Sequence, residues 1–184
     1  HSHMVAEEIY IRAGGLGYVK AILPPELMLH EMPNKSTWLE RLDGFSKAML
    51  DLYKVDEKDT IMIISNSGRN AVPVEMAIEA KKKGAKVIAM TSMKHSAEVT
   101  SRHSSGKRLF ECADVVLLAT DSFTKGAYDK IKLILEKKIN VISTAEEMSY
   151  PKAFSNSSNN LYVHGTANSG LSVAFPNEVI IWPR

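Results

Sequence analysis

Short apolar runs alternate with helix-period segments along most of the chain. The clearest runs are 60–64, 86–90 and 114–119, where apolar side chains fill nearly every position. Strands of this kind are typical of a parallel sheet covered by helices. The segments 72–83 and 125–138 have helical spacing. The alternation predicts an α/β fold, a three-layer αβα sandwich with a mainly parallel Rossmann-like sheet.

Weaker signals predict further helices and strands around this central series. The three longest apolar runs are expected to be the innermost strands, because neither of their faces carries polar side chains. The other predicted elements are helices over 5–13, from Ser36 as an N-cap, and over part of 101–111, and strands over 18–23, 140–143, 161–163 and 178–182.

The length of the chain predicts one α/β domain over 1–184. A chain of 184 residues can bury a sizeable core without disulfides. One segment, "FSNSSNN" at 154–160, has no periodicity and is rich in Ser and Asn. Such composition indicates a loop or linker.

Composition excludes several classes of function. The formal charge of +2 and the scattered basic residues argue against a nucleic-acid partner. No apolar run approaches the ~20 residues needed to span a membrane. The single cysteine, Cys112, fits a buried thiol in a reducing compartment such as the cytoplasm.

The turn 65–70, "SNSGRN", stands between an apolar run and a helical pattern. A helix N-terminus offers unpaired N–H groups and partial positive charge, and a glycine allows close backbone approach. Such a turn suits an anion, most often phosphate; without a lysine it is not a P-loop. The alternative is simple helix capping. The candidate phosphate-binding residues in the turn are Ser65, Asn66, Ser67, Gly68 and Asn70.

Two later segments repeat this polar character. Thr91 and Ser92 follow the strand 86–90, and Ser104 and Ser105 lie in "SRHSSGK". Ligands bind at the carboxyl ends of parallel strands, so these hydroxyls are candidates for the same site. The expected ligand is a sugar phosphate, inorganic phosphate or sulfate.

The segment "ISNSGRNAVPVEMAIEAKKKGAKVIAMTS" resembles the phosphate loop, helix and Thr-Ser strand end of the SIS (sugar isomerase) domain. "HSHMVAEEIYIRAGGL", "LERLDG" and "SRHSSGKRLFECADVVL" are similar to one uncharacterised bacterial subgroup of that family. The resemblance covers about 1–117. It indicates that "HSHM" is part of a native loop. The sequence departs from the family pattern in that the family's opening helix, first strand and Gly-Thr-Gly do not precede His1. It implies phosphosugar binding and a homodimer.

The segment 113–151 resembles instead the nucleotide-binding domain of dehydrogenases related to 2,4-diaminopentanoate dehydrogenase. That resemblance makes 118–184 a Rossmann-like completion of an SIS-like part, and suggests an engineered chimera rather than an unusual natural protein. The dinucleotide motif Gly-x-Gly-x-x-Gly of such enzymes would lie in a first βαβ unit that this sequence does not contain. "RAGGLG" follows a helix instead of a strand, so no NAD or other cofactor is expected.

Isomerisation of a phosphosugar requires a base and an acid. Glu7, Glu8, His1, His3 and His103 are the residues considered, and Glu8, His3 and His103 are the catalytic candidates. For Glu7 and Glu8 a solvated helix start is the favoured alternative. No set of His, Cys and carboxylate residues predicts a metal site. Three hypotheses remain open: a phosphosugar isomerase-like enzyme, a non-catalytic phosphosugar-binding module, and a chimeric scaffold without activity.

Overall fold

The computed structural model describes residues 2–30, 32–119 and 124–143, and the backbone of 172–174 and 179–181. The linker 154–160 and the strand 161–163 predicted from the sequence lie outside these residues. The helices are α1 (His3–Ile11), α2 (Pro33–Leu39), α3 (Phe45–Leu52), α4 (Ala71–Lys82), α5 (Met93–Glu98), α6 (Leu109–Cys112) and α7 (Thr124–Glu136). The strands are β1 (Thr60–Ile64), β2 (Lys86–Met90), β3 (Val115–Leu118), β4 (Asn140–Ser143), β5 (Ser172–Ala174) and β6 (Val179–Ile181).

The strands form one sheet in the order β1-β2-β3-β4-β5-β6. The first four strands are parallel, and β5 and β6 continue the sheet in antiparallel pairing. Helices connect the parallel strands, so the predicted α/β class with a mainly parallel sheet is confirmed. The carboxyl ends of β1 to β4 therefore share one edge of the sheet. No helix among the described residues is long and apolar enough to cross a bilayer.

One face of the four parallel strands is largely buried beneath helices. Ile63, Ala89, Val116 and Val141 lie side by side in register on this face, and all four are buried. Right-handed crossovers place α4, α6 and α7 over it. Apolar side chains from these helices join the same core cluster, among them Val74, Ala77, Phe110, Ile131 and Ile134.

The opposite face of the sheet is covered less completely. Ile64, Met90 and Leu117 are in register there and remain half-buried. Val5 of α1 lines a cleft together with these three side chains, so α1 lies at the carboxyl end of this face.

The prediction that all three apolar runs are innermost strands is wrong for β1. β2 and β3 have partners on both sides, but β1 pairs only with β2 in the described sheet. Its side chains are correspondingly less buried, since only Ile63 falls in the buried class. A run that is apolar on both faces predicts that both faces of the strand are covered, but it does not predict which strands pair with its two edges.

Two predicted elements near the N-terminus are also wrong. Residues 18–23 form no strand, and Lys20 instead places its Nζ 5.1 Å from the ring centre of Tyr53. A strand requires a hydrogen-bonded neighbour, and the described sheet has none at this segment. Ser36 is not an N-cap, because α2 begins at Pro33 and the Ser36 hydroxyl donates to the Pro33 carbonyl at 2.9 Å.

The apolar stripe after Ser36 forms two helices rather than one. Gly44 has φ +91° and ends the turn between α2 and α3. The Glu75 carboxylate of α4 accepts hydrogen bonds from the backbone N–H groups of Gly44 (2.7 Å) and Ser46 (3.0 Å). The first turn of α3 is therefore capped by a side chain from another helix, a contact that local sequence does not predict.

The segment 101–111 is helical only at its end, where α6 begins at Leu109. Helix α5 was not predicted from the sequence. Cys112, in α6, is buried, and burial raises the pKa of its thiol. This environment agrees with the predicted structural role.

Gly68 turns the chain from β1 towards α4. Its φ is +59°, a region that favours glycine. A Cβ atom at this position would lie 3.0 Å from Leu109 Cβ and 3.1 Å from Thr91 Oγ1. Glycine is thus required both by the backbone conformation and by the close packing of the turn against α6 and the end of β2.

We expect Gly68→Ala to lower the free energy of unfolding by about 1–2 kcal/mol for the left-handed conformation, with an added cost for the close contacts. Urea denaturation measures this change. Gly17→Ala is the matched control, because Gly17 has ordinary φ and no neighbour within 4 Å. An equal loss in the two variants would contradict the explanation.

Glu111 anchors the end of the 100–108 segment. Its carboxylate accepts from Arg108 Nε and Nη2, both at 3.1 Å, and lies 3.4 Å from Lys137 Nζ. Burial acts to raise the pKa of Glu111, but the hydrogen bonds and charge of Arg108 and Lys137 outweigh it and lower the pKa to about 2. The carboxylate therefore stabilises the fold in its ionised form.

Because this pKa is lowered on folding, the contribution of Glu111 is fully present above about pH 4.5 and is lost as the pH falls towards about 2. We expect Glu111→Gln to cost about 1.5–3 kcal/mol at pH 7 and little near pH 2. Chemical denaturation across this pH range tests the prediction. Glu98→Gln, at an exposed position, is the control; a pH-independent cost in Glu111→Gln would count against it.

Candidate functional site

The turn after β1 is held by its own side chains and by β2. The Ser65 N–H donates to the Met90 carbonyl at 3.1 Å, which extends the pairing of β1 with β2 by one residue. The buried Ser65 Oγ then accepts from the Gly68 N–H at 3.3 Å. Ser65 and Gly68 thus shape the turn, and the Gly68 N–H is not free for a ligand.

The turn after β2 is bonded directly to the turn after β1. The Ser92 N–H and the Thr91 hydroxyl both donate to the Asn66 carbonyl, at 2.9 and 3.1 Å. Ser92 Oγ also caps α5 by accepting from the His95 N–H at 3.4 Å. The structure therefore brings Asn66, Thr91 and Ser92 together, as their positions at the ends of neighbouring strands indicated.

Several donors of the first turn remain without an internal partner. Among the described residues, none accepts a hydrogen bond from the backbone N–H groups of Ser67, Arg69 and Asn70, and the Ser67 hydroxyl has no hydrogen-bond partner. Ser67 is partly accessible to solvent. These four donors stand directly before α4, where the helix adds partial positive charge.

The segment 100–108 packs across this turn. The Leu109 N–H donates to the Gly68 carbonyl at 2.8 Å, and the Arg102 N–H donates to the Arg69 carbonyl at 2.7 Å. Arg102 Nη1 also donates to the Asn70 side-chain oxygen at 2.8 Å. The Asn70 amide is therefore engaged by a cation instead of standing free.

The remaining candidates in this segment bond mainly to each other. Ser105 Oγ lies 2.8 Å from His103 Nδ1 and accepts from the Lys107 N–H at 3.3 Å. Ser104 is exposed, and its side chain makes no hydrogen bond to a described residue. Both serines lie in the turn 103–106, and neither forms a hydrogen bond with the described residues of the first turn.

A cleft of about 430 Å³ opens at the carboxyl ends of β1, β2 and β3. Its lining combines apolar side chains from the strand ends with polar side chains from the two turns and the helices. It is lined by Ser2, Val5, Ile64, Asn66, Met90, Thr91, Ser92, Met93, Lys94, Leu117, Ala119 and Lys130. Lys94 and Lys130 are cations that the sequence analysis missed, because neither belongs to a motif.

The catalytic candidates His3 and Glu8 are both on α1 and exposed. His3 is next to Ser2 in sequence, but only Ser2 and Val5 of this part of the chain line the cleft, and His3 does not. Glu8 forms an ion pair with Arg12 and lines a different, larger cleft of about 520 Å³ between α1 and the turn that follows it. That larger cleft contains none of the phosphate-binding candidates, so the smaller one is the candidate site.

No three His, Cys, Asp or Glu side chains within the described ranges are placed to hold a metal ion. The polar groups of the candidate site are instead hydroxyls, amides, backbone N–H groups and cations. Groups of this kind bind anions, and a carboxylate set for a divalent cation is not among them.

Comparison with known proteins supports this interpretation of the fold. The family model of the SIS domain matches residues 1–92, half of the chain. The chain is 75% identical over 117 residues to the UPF0309 protein of Halalkalibacterium halodurans, which covers 64% of this chain and 48% of that protein. It is 45% identical over 144 residues to the UPF0309 protein of Thermoanaerobacter pseudethanolicus, covering 78% and 58%.

A third relative, the UPF0309 protein of Caldanaerobacter subterraneus, is 51% identical over 117 residues. The chain spans about half the length of the curated relatives it matches. All three are named only as UPF0309 proteins, and these matches give no support to the dehydrogenase resemblance of 113–151 or to a chimeric origin. By the match of its first 92 residues and the identity to these relatives, the chain belongs to the SIS domain family.

Proposed function

We propose that this chain binds the phosphate group of a sugar phosphate at the turn that joins β1 to α4. The observation that carries the proposal is the set of donors left unpaired there: the Ser67 hydroxyl and the N–H groups of Ser67, Arg69 and Asn70. Hydroxyl and backbone donors at a helix N-terminus suit a phosphate monoester. The other hydrogen bonds of the turn hold these donors in place before a ligand arrives.

The adjoining cleft is suited to the sugar. It has room for a small ligand, and its lining combines polar groups of Asn66, Thr91 and Ser92 with apolar side chains. Lys94 and Lys130 add positive charge to this lining, which favours a negatively charged ligand. Membership of the SIS domain family, whose members include sugar isomerases and phosphosugar-binding modules, supports the same ligand class.

Binding of a sugar phosphate requires fewer functional groups than its isomerisation does. An isomerase needs a base and an acid within reach of the same sugar carbons. Glu8 pairs with Arg12 beside the other cleft, and His103 bonds to Ser105 in the segment 100–108. None of the three catalytic candidates is among the described residues that line the candidate cleft.

We therefore expect saturable binding of a sugar phosphate without turnover by this chain. Incubation with aldohexose and amino-sugar 6-phosphates, followed by NMR for ketose formation, distinguishes binding without turnover from isomerisation. Turnover that disappears in His3→Gln or Glu8→Gln would contradict the prediction and establish an isomerase-like enzyme.

Removal of the Ser67 hydroxyl tests the phosphate site. We expect Ser67→Ala to lose one hydrogen bond to a charged acceptor, worth about 1.5–3 kcal/mol. This loss corresponds to a roughly tenfold to hundredfold weaker Kd. Calorimetric titration with hexose 6-phosphate and with inorganic phosphate, at low salt, measures it.

Thr37→Ala is the matched control, because Thr37 is an exposed hydroxyl on α2 that is absent from the cleft lining. It should bind as the wild type does. If the wild type binds neither compound at millimolar concentration, the turn is only a helix cap and the chain is an inert scaffold. If Ser67→Ala binds as tightly as the wild type, the phosphate lies elsewhere.

A further inference from the structure

Three arginines stand apart from the others in the described part of the chain. Arg12 is paired with Glu8, and Arg108 is paired with Glu111. Arg41, Arg69 and Arg102, by contrast, form no ion pair with any described residue. A guanidinium group is well suited to bidentate pairing with carboxylate or phosphate, so three that lack such a partner call for an explanation.

The fold gathers these three arginines around the start of α4. Arg69 is in the turn itself, and the Arg102 backbone donates to its carbonyl at 2.7 Å. Arg41 follows α2 in a turn whose Glu40 carbonyl accepts from the Val72 N–H at 3.0 Å. The chain thus brings one arginine from each of three separate segments to the same helix end.

Within the described part of the chain, only neutral groups accept hydrogen bonds from the guanidinium groups of Arg69 and Arg102. Arg69 Nε donates to the Thr100 carbonyl at 2.9 Å, and its Nη2 lies 3.3 Å from Thr100 Oγ1. Arg102 Nη1 donates to Asn70 Oδ1 at 2.8 Å. These bonds orient the two guanidinium planes but leave their charges unneutralised.

The charges are close enough to act on one another. Partial loss of solvation, followed by repulsion from Arg41 and then from Arg69, lowers the pKa of Arg102. Glu40 is the acid that acts against this repulsion, and its effect is the smallest of the four. Together with the N-terminal end of α4, the cluster concentrates positive charge at one place on the surface.

We infer that Arg41, Arg69 and Arg102 form a second anion subsite, which binds a phosphate or carboxylate group at the far end of a sugar phosphate. The inference rests on the proposed function, because the first anionic group occupies the Ser67 turn. Arg69 follows Ser67 by two residues, so their Cα atoms are at most about 7 Å apart. One small ligand therefore spans both subsites, and the preferred ligands are sugar bisphosphates or phosphorylated sugar acids.

The test compares ligands that differ only in their second anionic group. A hexose 6-phosphate, a hexose 1,6-bisphosphate and a 6-phosphorylated sugar acid are titrated calorimetrically into the full chain at fixed low salt. We expect at least one of the two ligands that carry a second anionic group to bind tenfold or more tightly than the hexose 6-phosphate. The bisphosphate and sugar-acid arms distinguish a phosphate from a carboxylate as the preferred second group.

Two variants assign any such preference to the cluster. Arg102→Gln removes the charge but keeps an N–H donor for Asn70. Arg41→Gln also removes a charge, and it breaks no hydrogen bond to the turn, because the Arg41 side chain makes none with the described residues of the turn. Each should abolish most of the preference and leave hexose 6-phosphate affinity within about threefold. Arg12→Gln is the matched control for the loss of one exposed positive charge, and it should keep the preference. Unchanged thermal unfolding of Arg41→Gln confirms that the fold is intact.

The outcomes separate this inference from the proposed function. Equal affinity for all three ligands, or a preference that survives both arginine variants, overturns the second subsite while phosphate binding at Ser67 stands. A wild type that binds none of the three overturns both. If binding of the ligands with two anionic groups depends on the arginines but not on Ser67, the subsite is upheld and the Ser67 turn is overturned as the phosphate site.

Discussion

The parallel pairing of β1 with β2 is the constraint on which the candidate site depends. In register, Ile64 lies beside Met90, so both strands end at the same level and their turns meet. The Ser65 N–H continues the ladder to the Met90 carbonyl, and the Ser92 N–H bonds to the Asn66 carbonyl. A shift of one residue in this register would separate the two turns and move the buried Ile63 to the less covered face.

Hydrogen bonds between the two turns hold them in place before any ligand arrives, although four donors of the first turn stay unpaired among the described residues. Ser65 accepts from Gly68, Thr91 donates to Asn66, and Ser92 caps α5. The close packing of Gly68 against Leu109 and Thr91 adds a steric lock. Preorganised donors bind a ligand with less loss of conformational entropy, so the internally bonded residues support the site even where they do not contact a ligand.

The charge around α4 is consistent with a site that trades stability for binding. Three arginines close together repel each other, and the fold would be more stable if an acid neutralised them. Arg108, by contrast, has such an acid beside it, because the Glu111 carboxylate accepts two hydrogen bonds from its guanidinium group at 3.1 Å. Departures from local electrostatic balance of this kind are expected at functional sites.

The sequence by itself determined the α/β class, the strands 60–64 and 86–90, helix α4 and the polar turns at the strand ends, because periodicity and turn chemistry are local properties. Only the tertiary structure decided that β1 is an edge of the described sheet, that 18–23 is not a strand, and that Glu75 caps α3, since each depends on what packs alongside. It likewise decided which predicted donors remain free. Hydrogen bonds between distant residues engage Asn70 and Thr91 but leave the Ser67 hydroxyl unpaired, and no local pattern encodes that difference.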